Sequence, residues 1–147
     1  MGYYLKAFIG RSDDLKMVKN KFKNARTVSL TDEIALIPFT AELFDEVNNY
    51  RSNNGIGNYE FLTTDVEREI LLVMGDRLFS YVEVEYFGGL GRQSGMIWQG
   101  GKRIWERELE QEVVNEILRN FGIVRSKSND EFDTVGLGRK RNTEDWH

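Results

Sequence analysis

Glu83 and Glu85 are the residues of this chain whose type and spacing most invite chemistry. They stand two apart in the run 78–98, LFSYVEVEYFGGLGRQSGMIW, among apolar and aromatic residues. On a strand both side chains project from one face, with backbones roughly 6–7 Å apart. Carboxylates so placed could work as an acid and base pair, hold a hard cation, or receive an arginine. The plainer alternatives are a solvated strand face opposite Val82 and Val84, or an internal salt bridge.

Most other chemistries lack their parts. Cysteine is absent, which removes disulfides and thiol catalysis. The single histidine is His147, the final residue, so Ser-His-Asp catalysis and His/Cys zinc sites have no imidazole to work with. Gly55-Ile56-Gly57 lacks the third glycine and the preceding strand of a dinucleotide fingerprint. Gly88-Gly89-Leu90-Gly91 follows a strand and precedes another, which predicts a tight or bulged hairpin rather than a phosphate loop opening a helix. No catalytic residue, metal site or cofactor is assigned. An enzyme built on this chain would be a carboxylate-dependent or metal-assisted hydrolase using Glu83, Glu85 and Asp133, with Arg139 holding a small anionic substrate.

The formal net charge of −4 supplies no cationic field for displacing phosphate counterions, which argues against nucleic acid as a partner. No apolar run approaches the roughly 18 residues of a membrane span, and the opening MGYYLKAFIG has no basic leader. A soluble, cytoplasmic protein is the expectation. With 147 residues, 40% hydrophobic and 30% charged, and a lone proline at Pro38, the chain is read as one domain over 1–147 without a linker.

The elements that must position the glutamates follow from periodicity. Residues 3–9 alternate as a strand buried through Tyr3, Leu5, Ala7 and Ile9. A helix capped at Ser12 or Asp13 carries Leu15, Val18 and Phe22 on one stripe, with Asp13 and Asp14 at its start and lysines at its end. Residues 26–30 and 34–39 predict a hairpin around Thr31-Asp32-Glu33, ended by Pro38. Thr40 caps the next helix, with Phe39 and Phe44 at the spacing of a hydrophobic staple. Residues 51–58 read as a loop. Thr64-Asp65-Val66-Glu67 fits a capping box, and Gly75 stops that helix.

In the strand that follows, Leu78, Ser80, Val82, Val84 and Tyr86 share the core face, while Phe79, Tyr81, Glu83, Glu85 and Phe87 share the other. Residues 93–98 and 102–106 predict further strands. Leu109, Val113, Ile117, Leu118 and Phe121 mark an amphipathic helix stopped by Gly122. Residues 125–147 are highly charged yet contain Phe132, Val135, Leu137 and Trp146, which predicts a C-terminal segment docked on the body. Its acidic cluster around Asp133 and its basic cluster with Arg139 and Arg141 suggest electrostatic docking, with the arginines folding onto the acidic cluster or onto Glu83 and Glu85.

Three stretches, EYFGGLGRQ at 85–93, NEILRNFGIV at 115–124 and DEFDTVGLGRKRNTEDW at 130–146, resemble a group of small uncharacterised bacterial proteins. That group shares an E-Y-F-G-G-x-G-x-Q turn and a closing D-E-F-D-x-V-G-L-x-R-x-R-x-T-E-x-W. The resemblance implies a bacterial source and no activity. Small single-domain proteins of this character are often immunity proteins that occlude a toxin domain.

The expected fold is α+β, an antiparallel or mixed sheet with helices packed mainly on one face and a first half of ferredoxin-like order. The leading functional expectation is a protein-binding module that meets a basic partner through Tyr81, Glu83, Glu85 and Phe87. The carboxylate hydrolase stands as the alternative, and no pattern specifies an oligomeric state.

Overall fold

A computed structural model describes residues 2–49, 54–87 and 90–147, and the side chains of Phe87 and Leu90 lie outside the described set. In chain order the elements are β1 (Tyr3–Arg11), α1 (Ser12–Lys21), β2 (Val28–Ser29), β3 (Ile34–Pro38), α2 (Ala41–Asn48), α3 (Thr64–Met74), β4 (Phe79–Phe87), β5 (Leu90–Gln99), β6 (Lys102–Glu110), α4 (Val113–Asn120) and α5 (Glu131–Thr134). Two 3₁₀ turns follow, Leu137–Arg139 and Thr143–Asp145. The strands form one open antiparallel sheet in the order β2-β3-β1-β4-β5-β6, and the fold is α+β. Up to β4 the order and connectivity are those of a split βαβ unit, the ferredoxin-like arrangement. β5 and β6 extend it by two further hairpin-connected strands. Among the described residues, no helix is long and apolar enough to cross a membrane.

β1 occupies the middle because it is apolar on both sides. Leu5, Ala7 and Ile9 enter one core with Val82, Val84 and Ile97, while Phe8 enters the other with Phe39, Phe79 and Tyr81. α1, α2 and α3 share the Phe8 face, opposite the Leu5–Ala7–Ile9 face that the alternation marks as buried. The opposite face carries α4, α5 and the C-terminal turns, so both sides of the sheet are covered. α4 can lie close because β5 presents Gly95 beneath it. A Cβ there would stand 2.6 Å from Ile117 Cδ1 and 2.7 Å from Val113 Cγ1.

Local signals set most boundaries. Thr31 Oγ1 accepts from the N–H groups of Glu33 and Ile34, closing the β2–β3 turn. Thr40 Oγ1 accepts from Leu43 N at 3.1 Å and Phe39 packs edge-on against Phe44 at 5.9 Å, so both the cap and the staple form. α3 starts one residue earlier than its capping-box pattern implies. Thr63 Oγ1 caps Val66 N, which releases Glu67 from the box. Glu67 instead accepts from Trp98 Nε1 on β5 and takes a two-pronged contact from Arg103 on β6, riveting the helix to the sheet.

Pro38 ends β3 opposite Ala7, which leaves the first half of β1 without a neighbour on that side. The C-terminal segment fills the gap. Tyr4 N donates to Arg141 O at 2.7 Å, Tyr4 and Asn142 form a parallel bridge, and Lys6 N donates to Thr143 Oγ1 at 3.0 Å. Val135, Leu137 and Trp146 are buried in the second core, and Tyr3 OH donates to Leu137 O.

Two measurements check this packing. Gly95→Ala should destabilise the fold by about 1–3 kcal/mol in urea unfolding, because the added methyl pushes α4 off the sheet. The second concerns Glu67. Burial opposes its charge, but the bonds from Arg103 and Trp98 outweigh burial and hold its carboxyl below the usual carboxylate range. A depressed folded-state pKa stabilises the fold above the unfolded-state pKa, and that stability is lost as pH falls through the folded value. Glu67→Gln should therefore lower stability by about 1–3 kcal/mol at neutral pH, and the gap to wild type should close below about pH 4.

Candidate functional site

The β1–β4 register places Lys6 opposite Glu83 and Tyr4 opposite Glu85, and the β4–β5 register places Ser94 opposite Glu83 and Arg92 opposite Glu85. All six lie on the sheet face that α1, α2 and α3 cover at its other end. Where the helices stop, a cleft of about 260 Å³ opens, walled by Tyr4, Lys6, Glu60, Glu83, Glu85 and Arg92. The sequence pair Glu83 and Glu85 thus reaches a concavity, but the two residues do different work.

Glu83 is a structural carboxylate. Its Oε1 accepts from Glu60 N at 2.7 Å, and its Oε2 accepts from Phe61 N at 2.9 Å and from Tyr81 OH at 2.7 Å. The two backbone donors anchor the chain entering α3 onto the sheet and set Glu60 in the cleft wall, while Tyr81 OH braces the carboxylate from its own strand. Tyr81 is fully buried against Phe8, Phe39 and Tyr59, so it is core and offers no surface to a partner, contrary to the partner-facing role its position on the strand suggests. Burial first, and then the Glu83 charge and hydrogen bond, push its hydroxyl well above the ordinary tyrosine range, so it stays a donor.

Lys6 is a cleft residue that spacing along the chain does not single out. It sits in the apolar strand YYLKAFI and its side chain is 7% exposed. The Nζ atom lies 3.8 Å from the Tyr4 ring centroid, 4.6 Å from that of Phe61 and 3.6 Å from Glu60 Oε1. Two ring faces and a carboxylate replace the water that its ammonium gives up. Tyr4 OH hydrogen-bonds Glu60 in turn. Partial burial, the bond to Glu60 and the nearby Glu85 and Glu83 raise the Tyr4 hydroxyl, so it stays a donor. A lysine at an inward strand position was the available signal, and its meaning depended on Glu60, 54 residues away.

Glu85 and Arg92 are exposed, and neither side chain makes a hydrogen bond or ion pair among the described residues. They are the charges left free at the mouth. The Phe87 side chain lies outside the described residues. Asp133, Arg139 and Arg141 are not brought to Glu83 or Glu85. Arg139 donates to Gly136 O and lies over the Trp146 ring at 5.5 Å, Arg141 contributes its carbonyl to Tyr4, and Asp133 donates its N–H to Asp130. The expected electrostatic docking is replaced by backbone pairing, buried apolar side chains and the ion pair of Arg119 with the buried Glu131, at 3.2 Å. Apolar burial succeeds here because the arginines stay in water, where they cost nothing to solvate.

Among the described residues, no group of three or more His, Asp or Glu side chains is placed to hold a metal ion. What the cleft can do is offer a rigid, mixed-charge surface with an acidic edge. Glu83→Ala strips three donors of their acceptor and should cost about 1–3 kcal/mol for each one left buried, whereas Glu85→Ala should leave the melting temperature nearly unchanged; thermal unfolding of the two variants distinguishes them. Comparison of the chain with protein-family models, with curated proteins and with solved structures finds no match, so the functional reading rests on this geometry.

Proposed function

We propose that this chain is a protein-binding module that engages a basic surface through the Glu85 edge of the cleft, in the manner of a cytoplasmic bacterial immunity protein occluding a toxin domain. The observation that carries the reading is the contrast within one cleft. Glu83 and Lys6 are saturated by internal partners, which makes the walls rigid, while Glu85 stands free beside the Tyr4 ring and the half-exposed Glu60. A preformed wall keeps the ordering cost of association low, and a carboxylate beside an aromatic ring suits an incoming arginine or lysine. The net charge of −4 favours a cationic protein over nucleic acid.

The hydrolase alternative needs Glu83 free and Asp133 and Arg139 beside it. Neither condition matches the geometry, so binding is the reading it favours. The test is a salt titration of affinity. A partner retained from the source cytosol on the immobilised chain is identified, and its Kd is measured for wild type and Glu85→Lys across a range of ionic strength. The variant should fold normally, bind about tenfold or more weakly at low salt, and lose much of the salt dependence. Equal affinity and equal salt slope for the two proteins would refute a role for this edge.

A further inference from the structure

On the reverse of the β4–β5 hairpin, facing away from the first cleft, a second cavity of about 290 Å³ opens between the sheet and the start of α4. Its walls are aromatic. Tyr3 and Phe132 meet edge to face at 5.5 Å, and Tyr3 and Tyr86 at 6.2 Å. Its polar side holds two carboxylates, Glu112 and Asp130, with the amides of Gln93, Gln111 and Asn115 alongside them. Asn115, only 5% exposed, donates through Nδ2 to Glu112 Oε2 at 2.7 Å and to Asp130 Oδ2 at 3.0 Å, so the two oxygens stand within about 6 Å of each other. No lysine or arginine lines this cavity, and neither carboxylate makes an ion pair among the described residues.

Helix capping explains part of this arrangement. Asp130 caps α5 through Oδ1, and Glu112 precedes α4, where an acid complements the dipole. Capping does not explain why both acids converge on one amide nitrogen. Glu112 does not cap α4 with its side chain, because Gln93 Oε1 takes Val114 N at 2.9 Å instead. The Glu112 backbone is held left-handed at φ 67°, a conformation that costs a non-glycine residue roughly 1 kcal/mol or more and places its side chain over Asn115. The same two charges bear on the Tyr86 hydroxyl, which burial raises, the hydrogen bond from Gln93 lowers, and Glu112 and Asp130 raise again, with a net upward shift.

We propose that this cavity binds a small organic cation carrying N–H groups, a guanidinium or primary ammonium on a short apolar stem. The carboxylates supply the acceptors and the counter-charge, while the rings take the stem and the weakly hydrated face of the cation. A hard metal ion fits poorly, because only two carboxylates line the cavity and the amide oxygens of Gln93 and Asn115 are taken by Val114 N and Phe132 N. The volume is at the small end of ligand cavities and matches a molecule the size of a diamine or an arginine side chain.

The site lies on the opposite sheet face from Glu85, so its test is separate from that of the docking edge. Agmatine, putrescine, Nα-acetyl-argininamide, choline and calcium are titrated separately into the full chain, following the Asn115 side-chain amide and Tyr86 ring signals by NMR. Agmatine or putrescine should give saturable shifts in the millimolar range or tighter, and choline, which has no N–H, should bind about tenfold more weakly or worse. Saturation by Nα-acetyl-argininamide as well identifies an arginine side chain as the source of the cation, and its failure beside agmatine identifies a free amine; both support the site. Glu112→Gln should weaken binding about tenfold, as should Asp130→Asn, which keeps its capping oxygen, while Asp32→Asn at the exposed β2–β3 turn should change nothing. Glu112 is exposed, so its variant carries the result if Asp130→Asn does not fold. No saturable shift with any N–H cation, equal binding by choline, a response to calcium alone, or full affinity in Glu112→Gln would overturn the proposal.

Discussion

The pairing of β1 with β4 is the constraint on which the rest of this molecule depends. It runs over eight residue pairs, from Tyr3 opposite Tyr86 to Gly10 opposite Phe79, and both strands alternate between two cores. A slip by one residue would turn Leu5, Ala7, Val82 and Val84 out of their core together, which is why the register is well determined. The same register sets Lys6 beside Glu83 and Tyr4 beside Glu85 on one face, and Tyr3 beside Tyr86 on the other. Both clefts are therefore consequences of a single pairing, read from its two sides.

Five carboxylates near that pairing show how partners, rather than residue type, decide what an acid does. Glu83 accepts three donors and becomes a rivet. Glu67 accepts from an indole and an arginine and ties α3 to the sheet edge. Glu85 has no such partner and keeps its charge available to solvent or to another molecule. Glu112 and Asp130 divide one amide between them, which leaves acceptor capacity unused beside three aromatic rings. Half-buried acids with full sets of donors hold the structure, whereas acids with spare lone pairs at a cavity mouth keep acceptors open to solvent.

The C-terminal segment shows the limit of charge as a guide to docking. Its arginines looked complementary to Glu83 and Glu85, yet desolvating an exposed guanidinium brings little net stability. The segment is held by what the sheet lacks. Pro38 leaves half of β1 unpaired, and an unpaired backbone in a covered position is costly enough that Arg141 O, Asn142 and Thr143 are drawn to it. Val135, Leu137 and Trp146 then follow into the second core.

The sequence alone determined what depends on neighbours along the chain: the Thr31 turn, the Thr40 cap with its Phe39–Phe44 staple, the Gly75 stop, the alternation that puts Glu83 and Glu85 on one face, and the α+β class with its ferredoxin-like opening. These are set by interactions within a few residues, where spacing is enough. It did not determine that α1, α2 and α3 would bury Tyr81 while leaving Glu85 open, that Lys6 would be enclosed by Tyr4, Phe61 and Glu60, or that Tyr3, Tyr86 and Phe132 would wall a second cavity. Each of those depends on where separate elements end relative to one another in space. Only the packed sheet, with helices of particular lengths on both faces, decides which side chains are covered and which are left to act.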